Sequence, residues 1–184
     1  PWPVSLISPG IMGWYAWAPR MECYHGVLSL DHRLRGTLSI DEDEIDFTNG
    51  RGYIEKDWGQ NFPQSYIWFQ GNHFTTEGTS LTASVAIIPW LGKAFRGFIL
   101  GFWHLGILHR FATYNNAKIE TLSVDDERVY WRVGNHSHQL EMTATRAEGG
   151  LLHEPTRSNM LQRVEETMTA NLEVRLLDVK GKII

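Results

Sequence analysis

From Met21 to Leu177 apolar and polar positions alternate in short runs, broken every 8–12 residues or so by turn residues, the spacing of an all-β chain. The runs predict strands over residues 24–30, 34–40 and 45–48. Turns fall at Asp31-His32, at the acidic cluster Asp41-Glu42-Asp43-Glu44 and at Asn49-Gly50, the last a strong hairpin signal. Residues 80–88 alternate cleanly, with Leu81, Ala83, Val85 and Ile87 on one side, and Pro89 ends the run. Strands are also predicted over 108–114, 117–124, 129–133, 139–145 and 172–177. Residues 158–168 differ, because Leu161, Val164 and Met168 recur at helical spacing and predict one short helix. Residues 95–103 are apolar on both faces, so that strand should be covered twice, once by a barrel interior and once by a partner domain, a subunit or a membrane. Residues 1–20 carry Trp2, Trp14, Tyr15, Trp17 and four prolines, and read as an extended, packed leader. This set of strands predicts a closed, lipocalin-like antiparallel β-barrel over residues 21–184.

The middle of the pattern is its most informative part. Residues 53–58 and 64–74 predict two strands meeting at a Gly/Pro corner over 59–63. Alternation puts Glu55 and Asp57 on one face of the first strand, with Ile54, Lys56 and Trp58 on the other. In the second strand Tyr66, Trp68, Gln70, Asn72 and Phe74 share a face that mixes flat rings with uncharged amides. Carboxylates beside such a face suit chemistry on an apolar, weakly polar molecule.

Composition narrows the classes. A chain of 184 residues can bury the core of one domain, and a formal net charge of −4 offers no footprint for nucleic acid. Eight Trp bring large apolar area with polar tips, as ligand surfaces do, although a Trp-rich β core has the same composition. The single cysteine, Cys23, excludes an internal disulfide framework and favours a reducing compartment, either cytoplasmic or at a membrane periphery. The longest uncharged run, residues 97–108, is about twelve residues against the roughly twenty of a spanning helix, which leaves peripheral membrane contact open. The chain starts at Pro1-Trp2-Pro3 without an initiator Met, so a fragment of a longer protein is expected, with an N-terminal domain missing or a homo-oligomer in its place.

Most other constellations reduce to structure. Gly50-Arg51-Gly52 lacks the third glycine of a dinucleotide fingerprint, since Glu stands at position 55, and reads as backbone geometry. His136 and His138 sit in a polar turn with no third ligand near in sequence, so no metal site is expected. His104 and His109 flank a hairpin tip, where they should be solvated or capped. His25, near Glu22 and Cys23, could form a polar pair inside the barrel. Glu55 and Asp57 either make structural hydrogen bonds and pair with Arg51 or Lys56, or one of them is kept protonated by burial and by its neighbour's charge. A carboxyl of the second kind could protonate an alkene, and aromatic faces would steady the cation.

The stretch Glu55-Lys56-Asp57-Trp58-Gly59, Phe62-Pro63 and Trp68-Phe69-Gln70-Gly71-Asn72 resembles the central motif of the tocopherol cyclase family. Met21-Glu22-Cys23-Tyr24-His25-Gly26 and Glu154-Pro155-Thr156 are similar to segments of bacterial members. More distantly, the acidic-x-x-Trp-Gly signature resembles that of carotenoid hydratases and related lipocalin-like proteins. The resemblance implies a lipocalin-like fold, an isoprenoid substrate and closure of a prenylated benzoquinol to a chromanol without a cofactor. If the protein is an enzyme, general-acid and electrostatic logic predicts Asp57 or Glu55 as proton donor, Trp58, Trp68 and Trp90 around the cation, and Gln70, Asn72 or His73 orienting the phenol oxygen. The competing reading is a non-catalytic lipid-binding or carrier module. Family members usually carry a preceding domain with an aromatic motif and a C-terminal extension, so both are expected to lie outside these 184 residues.

Overall fold

The computed structural model describes residues 1–19, 21–90, 92–155 and 159–184. The chain is all-β, and among the described residues it has two short 3-10 segments, Gly13–Trp17 and Thr113–Asn115. Its strands are β1 (Cys23–Arg33), β2 (Thr37–Ile40), β3 (Asp43–Asp46), β4 (Arg51–Gly59), β5 (Tyr66–Gly71), β6 (Ser80–Trp90) and β7 (Lys93–His104). They continue as β8 (Ile107–Ala112), β9 (Lys118–Val124), β10 (Arg128–Gly134), β11 (His138–Thr145), β12 (Gly150–Pro155), β13 (Met160–Glu166) and β14 (Asn171–Asp178). Two compact units result. The first holds Pro1–Trp58, Tyr66–Val85 and Ile99–Arg110, and the second holds Gly59–Ser65, Ala86–Phe98 and Phe111–Ile184.

The expected closed barrel is not formed. Among the described residues the strands make open ladders, ordered β1-β4, β2-β3, β5-β6-β7-β8, β14-β11-β10-β9 and β12-β13. A barrel needs each strand paired on both sides around a continuous ladder. Here β4 pairs with β1 and not with β5, so the ladder is interrupted at the Gly/Pro corner.

In the first unit Gly26 lies against Trp58 and Gly52 against His32, so β1 and β4 run antiparallel. A side chain at either glycine has no room. A Cβ on Gly26 would stand 3.0 Å from the Trp58 ring, and one on Gly52 would overlap the His32 imidazole. Arg51, between two glycines, forks onto Asp31, its Nε donating at 2.7 Å to Oδ1 and its Nη2 to Oδ2. Gly50-Arg51-Gly52 is thus packing geometry plus an ion pair. The second cover expected for residues 95–103 comes from the chain itself. Ile99 and Trp103 pack on a buried cluster of Trp2, Ile11, Met12, Val27 and Leu30, with the Trp2 ring lying directly over Gly101. The opposite side of β7, Phe98, Leu100 and Phe102, is buried as well.

The second unit contains the most regular sheet. Trp131 stands opposite Met142 and Leu122, and Met142 opposite Val174; Val133, Leu140 and Leu176 form the next row. The other face is polar, where Arg132 bridges Glu120 at 2.9 Å and Glu141 at 3.6 Å. This is the hydrophobic-in, polar-out alternation of an antiparallel sheet with one solvated face. The predicted helix over 158–168 is replaced by β13, which pairs antiparallel with β12. Ser158 lies outside the described residues. Leu161 and Met168 do not share a core, being 47% and 102% exposed, so the helical spacing had no apolar face to bury.

Candidate functional site

The sharing of one face by Glu55 and Asp57 follows from the two-residue period of β4, and burial decides which face is inward. Ile54 and Trp58 are each 47% exposed, whereas the Glu55 side chain is 16% and the Asp57 side chain 36% exposed. The acid face is the inner one and opens toward solvent at Asp57. His25 of β1 stands between the two carboxylates. Its Nδ1 lies 2.6 Å from Asp57 Oδ1, and its Nε2 lies 3.5 Å from Glu55 Oε2 without a hydrogen bond. The Tyr53 hydroxyl donates to Glu55 Oε2, and Thr82 Oγ1 of β6 donates to the same oxygen at 3.3 Å. His25, Tyr53, Glu55, Asp57 and Thr82 thus form one polar cluster within the first unit.

Electrostatics in the cluster follows from burial. Desolvation raises the Glu55 carboxyl above its ordinary 4.5, and the Asp57 charge adds to this, against the Tyr53 and Thr82 hydrogen bonds and the His25 charge. For His25, burial disfavours the imidazolium. The Asp57 hydrogen bond and the charges of Asp57 and Glu55 prevail, and its pKa lies above 6.5. Burial, with the Asp57 charge adding, pushes the Cys23 thiol up to about 12, so it is no nucleophile. Burial and the neighbouring Glu55 also raise the Tyr53 phenol.

These shifts have a stability consequence with a definite sign. A group whose folded pKa is raised stabilises the fold fully below its unfolded pKa and loses that contribution as pH rises through the folded value. His25 and Glu55 both act in this sense. Urea unfolding between about pH 5 and pH 9 should show stability falling as pH rises, and His25→Gln should flatten the fall above 6.5. A slope unchanged in His25→Gln would refute the assignment.

The other expected site residues are distributed unevenly. Trp58 points away from the acids, stacked on Tyr24 at 5.6 Å between ring centroids, with Lys56 Nζ 4.8 Å from its ring. Trp68 and Gln70 lie on β5 with their ring and amide nitrogens buried and, among the described residues, without hydrogen-bond partners. Asn72 is half-buried just past the end of β5, and His73 beside it is exposed. Trp90 ends β6 and belongs to the second unit. Glu154 is 1% exposed in β12; Thr156 of the same motif lies outside the described residues. His104 is capped by Thr79 Oγ1 at 3.0 Å and stacks on Phe102. The parts missed in the sequence are the His25 partnership, which turns to β4 and not to Glu22 or Cys23, and the roles of Tyr53 and Thr82. Only the pairing of β1 with β4 could have located the first. Tyr53 was discoverable, since it shares the face of Glu55 by alternation.

Residues 4–184 match the family described as tocopherol cyclase-like. Over 184 residues, 91% of this chain and 36% of the relative, the sequence is 26% identical to "Tocopherol cyclase, chloroplastic" of Zea mays. Over 186 residues, 94% of this chain and 39% of the relative, it is 26% identical to "Probable tocopherol cyclase, chloroplastic" of Oryza sativa subsp. japonica. The chain spans less than two fifths of the length of these curated relatives. No solved structure matches.

Proposed function

The chain belongs to the tocopherol cyclase-like family, and we propose on that premise that it binds a prenylated, isoprenoid small molecule and promotes its ring closure by acid. The observation that carries this reading is the half-buried Glu55, its carboxyl raised by burial, flanked by a His25–Asp57 pair. Glu55 gives its O–H proton to the trisubstituted alkene, which leaves a tertiary cation. The ring oxygen forms the new C–O bond, and its proton passes to a carboxylate of the cluster. Atoms and charge balance without a cofactor, and the step is general acid catalysis with fixed electrostatic support. Asp57 accepts from Nδ1–H of His25, which turns the Nε2 edge toward Glu55 and places a proton store beside the acid.

The N-terminal stretch supports delivery from a lipid surface. Residues 1–19 contain no charged side chain. Ser5 and Ser8 exchange backbone hydrogen bonds, which puts Leu6 and Ile7 at the tip of a turn, 92% and 79% exposed. Among the described residues no helix is long and apolar enough to cross a membrane.

The test supplies a prenylated benzoquinol in liposomes to the full-length protein and follows chromanol by chromatography. Product is expected, together with vesicle binding that Leu6→Asp weakens. Bound ligand without product would identify a carrier, and no retained isoprenoid would remove the reading. Vesicle binding unchanged in Leu6→Asp would exclude the turn as the lipid contact.

A further inference from the structure

Trp68 Nε1, Gln70 Nε2 and Ser80 Oγ are buried and have no hydrogen-bond partner among the described residues. Trp2 Nε1 shares that state, alone in the apolar cluster over Gly101. What sets the other three apart is that one sheet face carries them. β5 and β6 are neighbours in their sheet, and the Ile87 N–H donates to the Ser65 carbonyl at 3.0 Å. Continued along the antiparallel hairpin, that pairing sets Trp68 beside Ser84, Gln70 beside Thr82 and Asn72 beside Ser80, all on one face. Thr82 is the residue that donates to Glu55. The strip of unused donors therefore adjoins the acid cluster.

Buried donors without acceptors cost stability in the empty protein, and native structures keep such groups where a ligand or water completes them. The strip offers an indole N–H, an amide NH₂ and a hydroxyl, so it calls for an acceptor. Trp68, Gln70, Asn72, Ser80, Thr82 and Ser84 carry no charge, and the nearest ionisable neighbours on the inner face of β4 are carboxyls. An anionic acceptor such as a fatty-acid carboxylate would meet the Asp57 charge, and the nearby His25 imidazolium is already engaged by Asp57 through its Nδ1.

We propose that Trp68, Gln70 and Ser80 form a donor site for a neutral oxygen on the ligand's ring, a quinone carbonyl or a phenol oxygen, and hold that ring beside Glu55. The inference deepens the function proposed above and rests on it. The chain's apolar tail then needs no polar anchor, and selectivity lies at the ring.

The test uses the full-length protein with three probes: a short-chain prenylquinone, its quinol, and a ring-free isoprenoid hydrocarbon. In the protein with ¹⁵N-labelled tryptophan, the Trp68 indole resonance, identified by its loss in Trp68→Phe, should move on adding either ring-bearing probe and stay on adding the hydrocarbon. Trp68→Phe, Gln70→Leu and Ser80→Ala should each weaken ring-probe binding about 3–10-fold, the size of one lost hydrogen bond, with hydrocarbon binding unchanged. Stearate should bind more weakly than either ring probe. Ser80→Ala should melt no lower than the parent, because its hydroxyl has no partner to lose; a clear drop would make the group structural and overturn the site. Equal ring-probe affinity in all three variants, with isoprenoid binding intact, would overturn the donor site and leave the wider function standing. Failure of the parent protein to bind any isoprenoid would remove both.

Discussion

Replacing Glu55 with Gln is expected to slow ring closure by roughly 10²–10⁴-fold, the usual contribution of a positioned general acid. Glutamine keeps the shape and an oxygen that still accepts from Tyr53 and Thr82, so the fold around it should persist. What it loses is the proton. Asp57→Asn should be milder. That residue is the more exposed of the pair, 36% against 16% at the side chain, and in the proposed mechanism it supports the acid through His25. Its removal takes away the negative charge that helps to raise the Glu55 carboxyl, so the pH profile should move to lower pH. For the parent, the rate should fall as pH rises through the raised Glu55 pKa, since only the protonated carboxyl can donate. Turnover and its pH dependence, measured on both variants, decide the matter. If Asp57→Asn lost more than Glu55→Gln, the two roles would be exchanged, and full activity in both would end the acid mechanism.

Local period carried much of this architecture. Alternation placed Glu55 with Asp57 on one face of their strand, because strand side chains alternate whatever the strand pairs with. Pairing itself was less legible. Residues 53–58 and 64–74 adjoin in sequence, yet β4 pairs with β1, and that non-local choice brings His25 to the acids. The same choice breaks the ladder that would have closed a barrel. Residues 158–168 failed for a different reason. Leu161, Val164 and Met168 fit a helical stripe, but β12 offered hydrogen bonds to a strand. Thr82, buried at 1% exposure, had no sequence signal beyond its polarity, since burial of a polar group depends on partners that folding supplies.

Trp131→Ala is expected to cost about 3–5 kcal/mol of stability, the range for emptying a large aromatic site in a close-packed core. Trp131 is 0% exposed and meets Phe98 edge-on, with centroids 6.3 Å apart and an interplanar angle of 76°. Its cross-strand neighbours Leu122 and Met142 belong to paired strands whose hydrogen bonds hold them in register, so they cannot collapse fully into the void. Tyr130, next along β10, is the internal comparison. It lies on the polar face with its hydroxyl 3.3 Å from Glu141, and Tyr130→Ala should cost no more than about 1 kcal/mol. Set against a total of about 5–15 kcal/mol for a typical domain, the Trp131 loss is large enough to be read from urea midpoints. Glu55→Gln should leave the same midpoint nearly unmoved, which separates a chemical defect from a folding one. Similar midpoints for Trp131→Ala and Tyr130→Ala would mean that the apolar face of the β9–β10–β11–β14 sheet is not the core of the second unit.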